Sequence, residues 1–241
     1  MSPSRSPSRT GAADEPPEAP PDVVEALSAR VGSVVGTAPG AHGDAGTPAG
    51  TPAGTPAGAH AGTPAGAHAG TPPRTAAPAG AAAEANAAAT AAGEGAAAGV
   101  RIGLACSRYN SGITARLLQG ALDALDACGA DPNDVRLAWA PGAFELPLVA
   151  RAFAERAGVD AVVCLGAVIR GETGHYDFVA GQCAAGIQRV QLDTGVPVAF
   201  GVLTTDTLEQ ATARSVPGDP TNKGYEAAMT AIEMWWLVQS V

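Results

Sequence analysis

Positive charge is scarce in this sequence. Fourteen Lys and Arg stand against 23 Asp and Glu, giving a formal net charge of −9 and an isoelectric point near 4.8. That balance argues against a nucleic-acid footprint and against attachment to anionic lipid. No apolar run reaches the ~20 residues of a membrane-spanning helix. Cysteine is limited to Cys106, Cys128, Cys164 and Cys183, none in a C-x-x-C pair. A thiol zinc site and a disulfide frame are thereby excluded, and the four read as buried thiols of a reducing compartment, the cytoplasm. His42, His60 and His68 lie in low-complexity sequence, which leaves His175 alone and rules out a histidine metal centre. Met1 to Thr10 has no apolar core of a secretory signal. Its Ser/Arg-rich composition admits a plastid transit peptide as the alternative location, although Asp14, Glu15 and Glu18 count against it.

What is present divides in two. Residues 1–98 are Ala, Gly, Pro and Thr-rich, and Thr-Pro-Ala-Gly recurs from Thr47 to Gly66. The period is far below the ~20–50 residues of stacked repeats. Too little large apolar surface is available to offset ordering entropy, so a long disordered tail is expected. Pro21 to Val35 has the pattern of a short amphipathic helix, read here as transient, and the Ala-rich stretch 81–98 as partly helical.

Residues 99–241 read as one domain of ordinary size. Short apolar runs alternate with helical periodicity. Strands are expected at Val100–Cys106, Val135–Ala140, Ala161–Ile169 and Val198–Leu203. Helices are expected at Ile113–Cys128, Phe144–Ala157, Phe178–Leu192, Leu208–Arg214 and Gly224–Val238, with Gly129 and Gly158 ending the first two. Such alternation means βαβ units, a four-stranded parallel sheet and helices on both faces, a three-layer α/β sandwich.

The chemistry concentrates in the turns that follow the strands. Gly166 to Asp177 is the most distinctive stretch: a buried strand, then Arg170-Gly171-Glu172-Thr173-Gly174, then His175. A strand-to-helix turn presents unpaired N–H groups that suit an anion such as phosphate. Gly171 and Gly174 supply backbone freedom, Thr173 a candidate cap, Arg170 positive charge, and His175 a group able to move a proton near neutral pH. Ordinary turn chemistry accounts for each residue singly; their clustering beyond a parallel strand points to a ligand site. The first strand is followed by Ser107-Arg108-Tyr109-Asn110, which is not a glycine-rich dinucleotide loop. Tyr109 offers a ring for stacking on a heterocycle or for packing under its helix. The second strand leads into Pro141-Gly142-Ala143-Phe144-Glu145, where Glu145 serves either the helix dipole or ligand hydroxyls. Arg214 and Lys223 flank a Pro/Gly-rich loop, as solvated surface or as phosphate ligands.

Pro141 to Glu145, Gly166 to Asp177, Gly201-Val202-Leu203-Thr204-Thr205 and Asn222-Lys223-Gly224, in this order, resemble the lumazine synthase family of riboflavin biosynthesis. The resemblance covers about Val100 to Leu237. It implies a flavodoxin-like sheet and a transferase without cofactor or metal. Such an enzyme condenses 5-amino-6-(D-ribitylamino)uracil with 3,4-dihydroxy-2-butanone 4-phosphate to 6,7-dimethyl-8-ribityllumazine, releasing phosphate and water. Carried over residue by residue, it implies Tyr109 stacked on the pyrimidine. Ala143, Phe144 and Glu145 would lie along the ribityl chain, and Val168 and Ile169 at the uracil edge. Gly171, Glu172, Thr173 and Arg214 would hold the phosphate, with Lys223 near the ribityl and phosphate ends. Phe200 would reach in from a neighbouring subunit and His175 would transfer protons. Glu172 departs from the pattern by setting a carboxylate beside a dianion, and the loop from Arg214 to Asn222 is longer than in many relatives. A homopentamer is expected in preference to a sixty-subunit shell, because that loop is long and Gly93 to Gly99 is a poor strand former. The competing readings are a scaffold of the same fold, or a lumazine- or flavin-binding module with little catalysis.

Overall fold

The computed structural model describes residues 18–36 and 95–241. The Thr-Pro-Ala-Gly repeat, Met1 to Thr10, three of the four histidines and most of the Ala-rich stretch lie outside the described residues.

The strands form where apolar, β-branched runs occur: β1 at Ser33–Val35, β2 at Ile102–Ser107, β3 at Val135–Ala140, β4 at Ala161–Ile169 and β5 at Val198–Thr205. All pair in parallel in the order β1-β3-β2-β4-β5. The helices are α1 (Pro21–Ser28), α2 (Ser111–Ala127), α3 (Leu146–Ala152), α4 (His175–Thr194), α5 (Leu208–Ala213) and α6 (Lys223–Ser240). The apolar faces of α1, α2 and α6 cover one side of the sheet through Leu27, Leu117, Leu118, Leu125, Ala228 and Ile232. On the other side α3 and α4 pack with Leu146, Ala150, Cys183, Ile187 and Val190. The result is the expected three-layer α/β sandwich. Gly224 is needed where α6 meets α2, since a Cβ there would strike the backbone of Leu117.

The bounds of β3 and β4 coincide with those expected. The helix expected from Phe144 is built in three parts: a 3-10 turn at Ala143–Glu145, α3, and a π-helical turn at Phe153–Ala157. Gly158 closes it at φ 66°, in the left-handed region where glycine is favoured.

The sheet has five strands where the sequence predicts four. The additional one comes from the segment read as transiently helical. There α1 buries Val24 and Leu27, and β1 lies along the outer edge of β3 with Val35 opposite Ala138. Arg30 pairs with Asp123 and Asp126 on α2, and the Ala19 N–H donates to the buried Ser111 hydroxyl at 3.0 Å. Tertiary contacts, not local propensity, set this structure, as expected for a three-residue strand and a two-turn helix. Ala97, on the short turn that precedes β2, is buried, and the carbonyl of Ala96 accepts from the indole N–H of Trp236 at 2.7 Å.

Candidate active site

Chain order reverses across the sheet between β2 and β4, since β3 lies on the far side of β2. Open α/β sheets bind ligands beyond the carboxyl ends of the strands at such a switch point. The turns there are stitched together. Beyond β2, the Arg108 and Tyr109 N–H groups donate to the carbonyls of Ala140 and Pro141 at 2.8 and 3.2 Å. Asn110 stands at φ 58° and its side-chain amide donates to the Ala167 carbonyl on β4 at 2.8 Å. A non-glycine residue in that conformation is uncommon, and the hydrogen bond from its side-chain amide across the switch point holds it. These ties leave the Tyr109 ring projecting, 68% exposed.

Beyond β3, Phe144 is 56% exposed, Glu145 is half-buried and Ala143 is buried. Glu145 lies within electrostatic reach of α4. The Cys183 thiol there is pushed up to about 12, by burial first and by the Glu145 charge second. Burial alone raises Cys106 and Cys128, and it leads for Cys164. All four cysteines are buried free thiols.

Beyond β4, Val168 is buried, Ile169 half-buried, and the turn through Gly171, Glu172 and Thr173 is exposed. His175 is the first residue of α4 and is exposed. Two details differ from the expectation. The cap position of α4 is Gly174, although the Thr173 hydroxyl still accepts from the His175 N–H at 3.4 Å. Neither Gly171 nor Gly174 adopts a left-handed φ, and a Cβ on either would meet nothing within 4 Å. Their small size leaves open space in front of the turn. Arg170, expected to bring charge to the turn, is instead engaged. It binds Asp206 at 2.9 Å and Asp177 at 3.2 Å, and lies 4.0 Å from the centre of the Tyr176 ring.

The remaining candidates lie elsewhere. Phe200, 43% exposed, lines a cleft of about 320 Å³ along β5. Arg214 and Lys223 line the same cleft, with Glu226 and Thr230. Arg214 donates to the Gln210 carbonyl at 3.0 Å and Lys223 binds Glu226 at 2.8 Å. Asn222 anchors this wall. It is 1% exposed, caps α6 by accepting from the Gly224 N–H, and donates to the Arg116 and Val216 carbonyls. A backbone bond from the Lys223 N–H to the Arg214 carbonyl closes the loop between the two cations.

The fold thus gathers the sequence-derived residues into two sets. Tyr109, Ala143, Phe144, Glu145, Val168, Ile169, Gly171, Glu172, Thr173 and His175 crown β2, β3 and β4. Phe200, Arg214 and Lys223 line the β5 cleft, and none of the crown residues contributes to it. Sequence reading quoted Asn110, Asn222 and Asp177 within its motifs but gave no role to them or to Asp206 as a partner of Arg170. An asparagine just before a helix signalled the first two; of Arg170's partners, Tyr176 and Asp177 lie in the same local stretch, whereas nothing local signalled Asp206, 36 positions away.

Residues 99–239 match the family described as 6,7-dimethyl-8-ribityllumazine synthase. Two curated relatives of that name, from two strains of Thermus thermophilus, are 53% identical over 143 residues, covering 59% of this chain and 90% of each relative. A third, from Syntrophus aciditrophicus, is also 53% identical over 143 residues and is covered over 92% of its length.

Proposed function

Because the chain belongs to the 6,7-dimethyl-8-ribityllumazine synthase family, it is a transferase of riboflavin biosynthesis, and we propose a division of labour among its residues. The reaction joins 5-amino-6-(D-ribitylamino)uracil to 3,4-dihydroxy-2-butanone 4-phosphate. The observation that carries the assignment is the family match over residues 99–239, which spans both sets of site residues, together with 53% identity to relatives of that name.

In this reading the catalytic unit is residues 99–241. Tyr109 stacks on the pyrimidine, and Val168 and Ile169 meet its edge through backbone groups. Ala143, Phe144 and Glu145 line the ribityl chain, with Glu145 accepting from its hydroxyls. The amides of Gly171, Glu172 and Thr173 hold the phosphate, and the exposed Glu172 side chain points its charge to solvent. Amine–carbonyl condensation moves protons, and in this reading His175, exposed at the start of α4, moves them. Arg214 and Lys223 approach the phosphate and ribityl ends from the other side.

The separation of the two sets supports a shared site, in which the Phe200–Arg214–Lys223 wall of one subunit faces the crown of the next. Phe144, Phe178 and Tyr109 stand exposed in the isolated chain and are the apolar surface such a neighbour would cover. The assembly proposed is a homopentamer in the cytoplasm. Incubating purified protein with the two substrates tests the function: formation of the lumazine and stoichiometric phosphate is expected. Tight binding of lumazine without turnover would instead make the protein a binding module.

A further inference from the structure

We infer that Arg170 is a positioning residue that fixes the turn from Gly171 to His175, and that it does so by clamping three segments instead of touching phosphate. The inference rests on the reading of that turn as the phosphate seat. Arg170 stands between β4 and the turn. Its backbone N–H donates to the Thr205 carbonyl at 2.9 Å, which carries the β4–β5 ladder one residue past the strand. Its guanidinium then forks. Nε binds Asp206 on the turn after β5 at 2.9 Å, and another guanidinium nitrogen binds Asp177 in the first turn of α4 at 3.2 Å. The plane lies 4.0 Å from the centre of the Tyr176 ring. The turn is therefore held at its start by Arg170 and just past its end by Tyr176 and Asp177, with Asp206 fixing the clamp to β5. Only a planar fork meets two carboxylates and a ring at once; a lysine ammonium does not.

Magnitudes separate this role from simple stabilisation. The Arg170, Asp177 and Asp206 side chains are 43%, 65% and 67% exposed. Exposed ion pairs contribute little to global stability. Small displacements of a group that seats a substrate cost far more in rate than in stability. With both carboxylates on Arg170, its charge is already met, so its value to the phosphate is geometric.

The test compares Arg170→Gln, Arg170→Lys and Asp206→Asn with the wild-type full chain. Two readouts are taken: hydrogen exchange of the amides from Gly171 to His175, and steady-state kinetics with each substrate varied. The expected result is faster exchange confined to this turn in all three variants, with melting temperatures near wild type. For the butanone phosphate, KM should rise by about tenfold, the scale of a coupled contact, with the pyrimidine KM little changed. Direct phosphate contact predicts the opposite pattern, in which Arg170→Lys restores KM and Asp206→Asn, by releasing the guanidinium, lowers it. That pattern would overturn the inference, as would wild-type exchange in the turn of Arg170→Gln. Exchange is read without turnover, so a wild-type protein that makes no lumazine would sink the functional reading while leaving the clamp decided by its own measurement.

Discussion

At the scale of single residues, two substitutions separate chemistry from binding. His175→Ala should lower kcat by about 10²-fold, the lower end of general acid–base effects, because holding two reactive substrates together already supplies much of the rate. An unchanged kcat would remove His175 from the mechanism. In the proposed arrangement Arg214→Ala removes a charge that meets only one substrate. It should raise the KM of the butanone phosphate by roughly 10-fold or more, as loss of a charge-assisted contact does, and leave the pyrimidine nearly unaffected. Equal weakening of both substrates would make Arg214 an element of the loop that Asn222 anchors. His175 drew attention in the sequence because it sits in a dense local motif, and Arg214 because it flanks a Pro/Gly-rich loop with Lys223. The Arg170–Asp206 pair did not, since its partners meet only when β4 and β5 lie side by side.

At the scale of elements, legibility followed burial. β3 and β4 are nearly continuous apolar runs, and their bounds could be read directly. The start of α3 could not be placed as well. Proline at its second position has no N–H to donate back to the preceding turn, and the chain enters through a 3-10 turn at Ala143–Glu145. Of the strap formed by α1 and β1, the helical pattern was legible but its docking and β1 were not: Ser33-Val34-Val35 has no periodicity, and all three residues are exposed though paired. What the strap contributes is the burial of Val24 and Leu27, 1% and 4% exposed, and cover for the β3 edge. Leu27→Ala should therefore cost about 2 kcal/mol, the low end for a buried leucine because a short peripheral helix relaxes around the gap. Chemical denaturation measures it. A cost near zero would show the strap contributing nothing to the fold. Because the strap packs on β3 and α2, deleting residues 1–36 should destabilise the protein more than deleting residues 1–17.

At the scale of the whole molecule, the two edge strands of the sheet differ in length: β1 has three residues and β5 has eight, and a short edge strand resists further pairing. β1 covers β3, while β5 carries the cleft with Phe200, Arg214 and Lys223 along an edge strand. Growth by addition is thereby directed to one side, which suits a closed ring of like subunits. Light scattering on the full-length protein should give a mass near five chains. A mass near sixty chains would replace the ring with a shell, and an active monomer would end the shared-site argument. The covered edge has a second consequence, in time. Ser33 pairs with Arg136, far later in the chain. On a ribosome adding ~5–20 residues per second, the strap emerges roughly 5–20 s before its partner strand exists. For most of that interval Val24 and Leu27 also lack α2, the helix on which α1 packs, since it begins only at Ser111. The pairing of β1 with β3 must wait for that synthesis, and until then the nascent chain carries its own edge guard unpaired.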